Sequence, residues 1–206
     1  MINRICISIN NRCNLGCKYC HFHEKSILDD ADMDVFKILD NVKTYAKGNF
    51  KIGFVGNGEG LLDWPKLKSY IAYLEDYPNI SIYTITNGTV SLNDEEWRFL
   101  ENHSVNVGFS MDGYKELHDK NRGNSFDKAM HNVDEYKRVT GHYPTFNATV
   151  GEDSLLNADK VINFFKPFGV RVTFFEDDRK IWNLVARYRD FLESAEKTLR
   201  SKKRRA

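Results

Sequence analysis

The chain has 206 residues, 41% of them hydrophobic, 13% aromatic and 29% charged, with a net charge of +1. That is enough apolar material for one sizeable core, and it predicts a single domain over residues 1–206. No apolar run reaches membrane-spanning length and the N-terminus opens into a strand pattern without a secretory apolar region, so the expectation is a soluble, cytoplasmic protein.

Strand-like and helix-like segments alternate along the whole chain. Ile5, Ile7 and Ile9 recur with period two, the pattern of a first strand. Next comes Cys13-Asn14-Leu15-Gly16-Cys17-Lys18-Tyr19-Cys20. Val35, Ile38, Leu39, Val42 and Ala46 then repeat at helical spacing, and residues 51–55 form a second strand. Asp63, Trp64 and Pro65 read as the cap and first turn of a helix carrying Leu67, Tyr70, Ile71 and Leu74.

Residues 80–86 are rich in β-branched side chains and make a third strand, after which Asn93 and Glu96 open a helix with Trp97 and Leu100. Residues 105–111 read as the fourth strand, and Ser125 as the cap of a helix with Phe126, Ala129, Met130, Val133 and Tyr136 inside. A fifth strand at 145–150, a helix through Ala158, Val161, Ile162 and Phe165, and a sixth strand at 170–175 follow. The last helix runs from Ile181 through Leu199 into a basic tail at about 181–206. Residues 196–206 carry a net +5, which leaves −4 for residues 1–195. A basic helix end is expected to be solvated and to complement the helix dipole; a nucleic-acid surface is the lesser alternative.

Six βα units imply parallel strands with helices outside, because parallel neighbours need right-handed crossovers. A closed eight-unit barrel takes roughly 250 residues. The fold class expected is therefore α/β, an open, partial (β/α)6 barrel of the TIM type, with substrate entering through the opening.

Ligands in such sheets bind at the carboxyl ends of the strands. The segments found there are the three cysteines, Gly56-Asn57-Gly58-Glu59-Gly60, Thr86-Asn87-Gly88, Ser110-Met111-Asp112-Gly113, Asn147 with Thr149, and Glu176-Asp177-Asp178. Three clustered cysteines out of four point to a metal site in a reducing compartment and away from a disulfide framework. Thiolates suit zinc or iron–sulfur chemistry. Zinc would close its tetrahedron with His21 or His23; a cubane cluster held by three cysteines keeps one iron open for a small molecule. Cys6, alone on the first strand, reads as a small core residue.

The spacing Cys13-x3-Cys17-x2-Cys20, with Tyr19 before the third thiol, resembles the signature of the radical S-adenosylmethionine (radical SAM) superfamily. Phe54 through Leu62 resembles that family's Gly-Gly-Glu-Pro segment, with Gly60 in place of the proline. Thr86-Asn87-Gly88, Ser110-Met111-Asp112-Gly113 and His118-Asp119-Lys120-Asn121-Arg122 resemble segments of the branch containing sulfatase-maturating and peptide-modifying enzymes.

The resemblance implies a 4Fe-4S cluster on Cys13, Cys17 and Cys20, reduced by an external donor of the flavodoxin or ferredoxin type. S-adenosylmethionine at the open iron is then cleaved to a radical that abstracts hydrogen from substrate. Gly58 and Glu59 would meet the cofactor's ammonium, Ser110 and Arg122 its carboxylate or ribose, and Asn147 the ribose side. Tyr19 lies in the region expected to face the adenine, and Asn87 is placed among the cofactor-binding residues too. Elementary chemistry agrees, since a carboxylate suits a guanidinium fork and an ammonium suits a carboxylate.

The same branch often appends a domain with auxiliary clusters, and this sequence has only Cys6 to spare, too few to hold a second one. Redox-neutral outcomes such as epimerisation are therefore favoured. The expected substrate is a ribosomally made peptide. A small amino-sugar or nucleotide-like metabolite, a non-catalytic zinc or iron–sulfur module, and an activator of a glycyl-radical partner are the alternatives.

Overall fold

The computed structural model describes residues 2–22, 34–46, 48–176 and 185–200. His23, Asp177, Asp178 and the tail from residue 201 lie outside the described residues, as does the expected start of the last helix at Ile181.

Six strands, β1 (Arg4–Ile7), β2 (Phe50–Phe54), β3 (Ile80–Thr86), β4 (Asn106–Ser110), β5 (Thr145–Val150) and β6 (Val172–Glu176), form one sheet in sequential order. Every neighbouring pair is parallel. The order is linear, with β1 and β6 at opposite ends, so the sheet is a half-barrel with an open side.

Helices occupy the crossovers, α1 (Val35–Tyr45), α2 (Trp64–Ala72), α3 (Asp94–Asn102), α4 (Lys115–Arg122), α5 (Phe126–Thr140), α6 (Glu152–Leu156) and α7 (Ala158–Phe165), and α8 (Val185–Arg200) follows β6. Their caps explain several boundaries. Asn93 and Glu96 close a reciprocal capping box at the start of α3, with bonds of 3.0 and 2.8 Å. Asp34 receives the Lys37 N–H at the start of α1. Asp63 and Ser125 make no side-chain cap bond at the helices they precede. At α5 that work falls to Asp119, whose carboxylate receives the Phe126 N–H at 2.9 Å.

Strand alternation divides the sheet into two faces. Ile52, Phe54, Val107, Phe109, Phe146, Ala148 and Val150 are buried beneath the helices. Phe109 meets Trp97 of α3 and Tyr136 of α5, and Phe146 meets Phe165 of α7. The alternate residues face the concave side. Cys6, Gly53, Tyr83 and Asn106 lie in register across β1 to β4, and Ser110, Asn147 and Thr173 across β4 to β6.

Cys6 is thus an exposed residue of the concave face and not the small core residue its sequence context suggests. Its sulfur lies 3.3 Å from the Tyr83 hydroxyl, which also accepts from Arg4 Nε at 2.9 Å. Gly53 makes room for this contact, since a Cβ there would stand 2.2 Å from the Tyr83 ring.

Candidate functional site

The loop from Asn10 to Cys20 leaves β1 at the carboxyl end of the sheet and is fastened on three sides. Toward the loop after β2, Glu59 N–H donates to Arg12 C=O at 2.8 Å, and Asn10 Nδ2 donates to Glu59 C=O at 3.1 Å. Gly58 permits this approach, because a Cβ there would stand 2.4 Å from the Arg12 carbonyl oxygen. Toward the end of β3, Asn87 Nδ2 donates to Asn14 Oδ1 at 2.9 Å and lies 3.8 Å from the Cys13 sulfur. Asn14 in turn donates to Thr89 Oγ1 at 2.7 Å. Toward α4, Lys18 N–H donates to Asn121 C=O at 2.8 Å and the Tyr19 hydroxyl to Asp112 Oδ2 at 2.7 Å.

The three cysteines of this loop are free thiols. Burial pushes the Cys17 thiol up, the Arg122 guanidinium draws it back, and Cys13 and Cys20 are both close enough to add to the rise. Among the described residues, no three His, Cys, Asp or Glu side chains gather tightly enough to share one metal ion. A zinc site closed by His21 would need such a gathering. A cubane makes a different demand, since each cysteine takes its own iron. Three neighbouring, unbridged thiols on one fastened loop fit that group.

Glu59 is 2% exposed. Its Oε1 receives Leu61 N–H at 3.1 Å and the Thr86 hydroxyl at 2.8 Å, and its Oε2 receives Asn87 N–H at 2.6 Å. Burial raises its pKa while these three donors oppose the rise. These donors bind the loop after β2 to the end of β3 and take two acceptor positions of Oε1 and one of Oε2.

Arg122 is not a surface ion pair. It is 7% exposed and donates through Nη2 to Asp112 Oδ1 at 3.0 Å. Burial works against its charge, and Asp112 more than offsets this, so its pKa is raised. Its Nε is buried and has no hydrogen-bond partner among the described residues. The guanidinium also lies 5.3 Å from the centre of the Tyr19 ring. Burial, with Asp112 adding to it, raises the Tyr19 pKa, so the phenol remains a neutral donor.

Asp112 is 1% exposed, which removes it from the ordinary turn role that Asp-Gly suggests. Besides Tyr19 and Arg122 it accepts from Asn121 Nδ2 at 3.2 Å and from Thr149 N–H at 3.0 Å. His118 is fully buried inside α4. Its Nδ1 accepts the Asp112 N–H at 3.4 Å and its Nε2 meets Ser125 Oγ at 3.0 Å. Burial lowers its pKa to about 4, and Asp112 pulls the other way.

Ser110 and Asn147 are register partners on β4 and β5, half-buried on the concave face. Asp112 follows Ser110 by two residues, so one strand end serves both the concave face and Arg122. Gly108, beneath them, leaves the Asn147 amide its place, since a Cβ there would stand 2.4 Å from Nδ2. Asn87 is 7% exposed and its amide is engaged with Asn14 and Thr89. Asp112, Asn14, Thr86 and Asn121 were not among the sequence-predicted site residues. Thr86, Asp112 and Asn121 lie within the rim segments that the resemblance covers, and Asn14 lies next to Cys13, so segment membership is the signal that could have found them.

The fold and the rim it carries define an open α/β half-barrel with a three-thiol loop. Residues 7–154 match the Radical SAM superfamily, and the chain belongs to that superfamily. Its cofactors are S-adenosylmethionine and an iron–sulfur cluster, for which the three thiols are the fitting ligands.

A cysteine-type anaerobic sulfatase-maturating enzyme of Clostridium novyi (strain NT) is 29% identical over 175 residues, covering 76% of this chain and 46% of that protein. Its counterpart in Clostridium perfringens (strain ATCC 13124) is 31% identical over 175 residues, covering 75% and 45%. The chain therefore spans about half the length of the curated relatives it matches. The solved structure of native anSMEcpe with bound AdoMet and Cp18Cys peptide superposes with a TM-score of 0.69 at 25% identity, over 84% of this chain and 50% of that one. Streptococcus suis SuiB bound to S-adenosylmethionine shares the fold, with a TM-score of 0.74 at 15% identity over 98% and 46%. No helix among the described residues is long and apolar enough to cross a membrane.

Proposed function

We propose that the protein reductively cleaves S-adenosylmethionine at a 4Fe-4S cluster on Cys13, Cys17 and Cys20 and takes a hydrogen atom from a ribosomally made peptide held in the open half-barrel. The observation that carries this is the three-sided fastening of the thiol loop. It joins the loop to the segment after β2, to the end of β3 and to Asp112 and Asn121 on the α4 side, where the polar groups suited to an amino acid moiety stand. When bound, the cofactor pair supplies a hydrogen-abstracting radical; the protein supplies position and exclusion of water.

In this assignment the Arg122 Nε faces the cofactor's carboxylate, which gives a buried donor its acceptor. Ser110 and Asn147 meet the ribose from the concave face, and Tyr19 lies on the adenine side. The ammonium meets the loop at Gly58 and Glu59, whose Oε2 takes a single protein donor, from Asn87 N–H. The electron comes from an external flavodoxin or ferredoxin. The peptide assignment rests on the sulfatase-maturating relatives and on the peptide bound in the anSMEcpe structure.

The test is isotope transfer. Anaerobically reconstituted protein is given S-adenosylmethionine, dithionite and peptides deuterated at cysteine or serine. Deuterium in the 5′-deoxyadenosine supports a peptide substrate. Uncoupled 5′-deoxyadenosine without label from any such peptide would refute it.

A further inference from the structure

We infer that Asp112 is a positioning residue that makes the thiol loop and the Arg122 guanidinium a single rigid unit, an inference that rests on the cofactor assignment above. The argument begins with how Asp112 holds Arg122. Arginine and carboxylate pair most strongly through two parallel bonds. Here the carboxylate takes one, from Nη2 at 3.0 Å, and leaves Nε buried without a partner among the described residues. Asp112 has the acceptor capacity for a second bond but applies it elsewhere, to Thr149 N–H, Asn121 Nδ2 and the Tyr19 hydroxyl. A carboxylate placed only to neutralise Arg122 has no reason to leave a buried donor open. One that fixes the guanidinium while presenting Nε to an incoming group does.

The second half concerns Tyr19, which lies between Cys17 and Cys20, so its hydroxyl is the handle by which the rim holds the thiol loop. Asp112 is completely buried as a side chain and grips that handle at 2.7 Å. The same Oδ2 is shared with Asn121 of α4, whose carbonyl takes the Lys18 N–H, so the loop is held at two successive residues, Lys18 and Tyr19. A cofactor that bridges a cluster on the loop and a donor on Arg122 needs the two at a fixed separation. One carboxylate sets that separation. Tyr19 and Asp112 should therefore act on cofactor binding as one linked interaction and not as two independent ones.

The experiment uses the reconstituted full chain as wild type, Tyr19→Phe, Asp112→Asn and the double variant. It measures iron per chain and titrates S-adenosylmethionine into the dithionite-reduced protein, following the change it induces in the EPR spectrum of the cluster. Iron content is expected to hold in Tyr19→Phe and Asp112→Asn. Affinity for S-adenosylmethionine should fall about 3- to 10-fold in Tyr19→Phe and about 10-fold or more in Asp112→Asn, the range for lost hydrogen bonds to a charged group. The double variant should be within about twofold of Asp112→Asn, because the shared interaction is already gone.

Unchanged affinity in either single variant, or losses that multiply in the double variant, would overturn the inference. If Asp112→Asn does not fold or take up iron, Tyr19→Phe decides: weakened binding at full iron content supports the inference, and binding within twofold of wild type overturns it. A wild type that takes up iron but whose spectrum ignores S-adenosylmethionine refutes the cofactor assignment itself, and this inference with it.

Discussion

Replacing Glu59 with glutamine separates a structural carboxylate from a ligand-binding one. The side chain is 2% exposed and receives three protein donors, at 3.1, 2.8 and 2.6 Å. Glutamine keeps one oxygen, which can serve Leu61 and Thr86, and turns its NH2 against the Asn87 N–H. Two donors then face each other in a buried space. Losing one charge-assisted bond and leaving one amide unsatisfied costs about 2–4 kcal/mol, less part of the desolvation that the charged form carried. A net loss of about 2–3 kcal/mol is expected, or roughly 5–10 °C in melting temperature for a domain of this size. Thermal unfolding of Glu59→Gln beside wild type, with urea melts to confirm a common m-value, measures it. An unchanged melting temperature combined with lost S-adenosylmethionine binding would refute the reasoning, because the carboxylate would then be acting on the ligand and not on the β3 end.

Gly58→Ala should force the β1 loop away from the loop after β2, since its Cβ would stand 2.4 Å from the Arg12 carbonyl oxygen and 2.5 Å from Asn10 Oδ1. The expected loss is about 1–3 kcal/mol together with reduced iron uptake, read by melting and by iron analysis after reconstitution. His118 binds its proton less readily when folded, with a pKa near 4 against an ordinary value of about 6.5. The unfolded chain therefore takes up the proton first, and stability falls as pH drops from about 6.5 to about 4, by about 3 kcal/mol in total. Urea melts across that window should show this slope, and His118→Gln should flatten it. Asn93→Ala breaks the capping box of α3 and should cost about 1 kcal/mol, with no effect on iron content or cofactor binding.

The six strands were legible because β-branched and aromatic residues alternate along them, and α1, α2, α3, α5 and α7 because apolar residues recur at helical spacing. α4 escaped that test. Of its buried side chains, Leu117, His118 and Arg122, two are polar, so the buried stripe has no apolar period. α6 is five residues long, too short to show one. At the site, the thiol loop and the carboxyl-end rim could be found from spacing and order. What a carboxylate does there could not. Glu59 and Asp112 both follow strands in glycine-flanked turns. Only the three-dimensional positions of Thr86, Asn87, Tyr19, Asn121 and Thr149 show that each is enclosed by protein donors. Cys6 was misplaced for a related reason, since the concave face of β1 is polar and alternation alone does not say which face is covered by helices.

The most direct test of the central claim is to reconstitute the full chain without oxygen, count its iron, and record the EPR spectrum of the dithionite-reduced protein before and after adding S-adenosylmethionine. The account predicts about four irons per chain, a reduced-cluster signal that changes on addition of the cofactor, and loss of both in Cys17→Ala with the helical content kept. A colourless chain that retains zinc would contradict it, as would an iron-loaded Cys17→Ala variant that still responds to the cofactor.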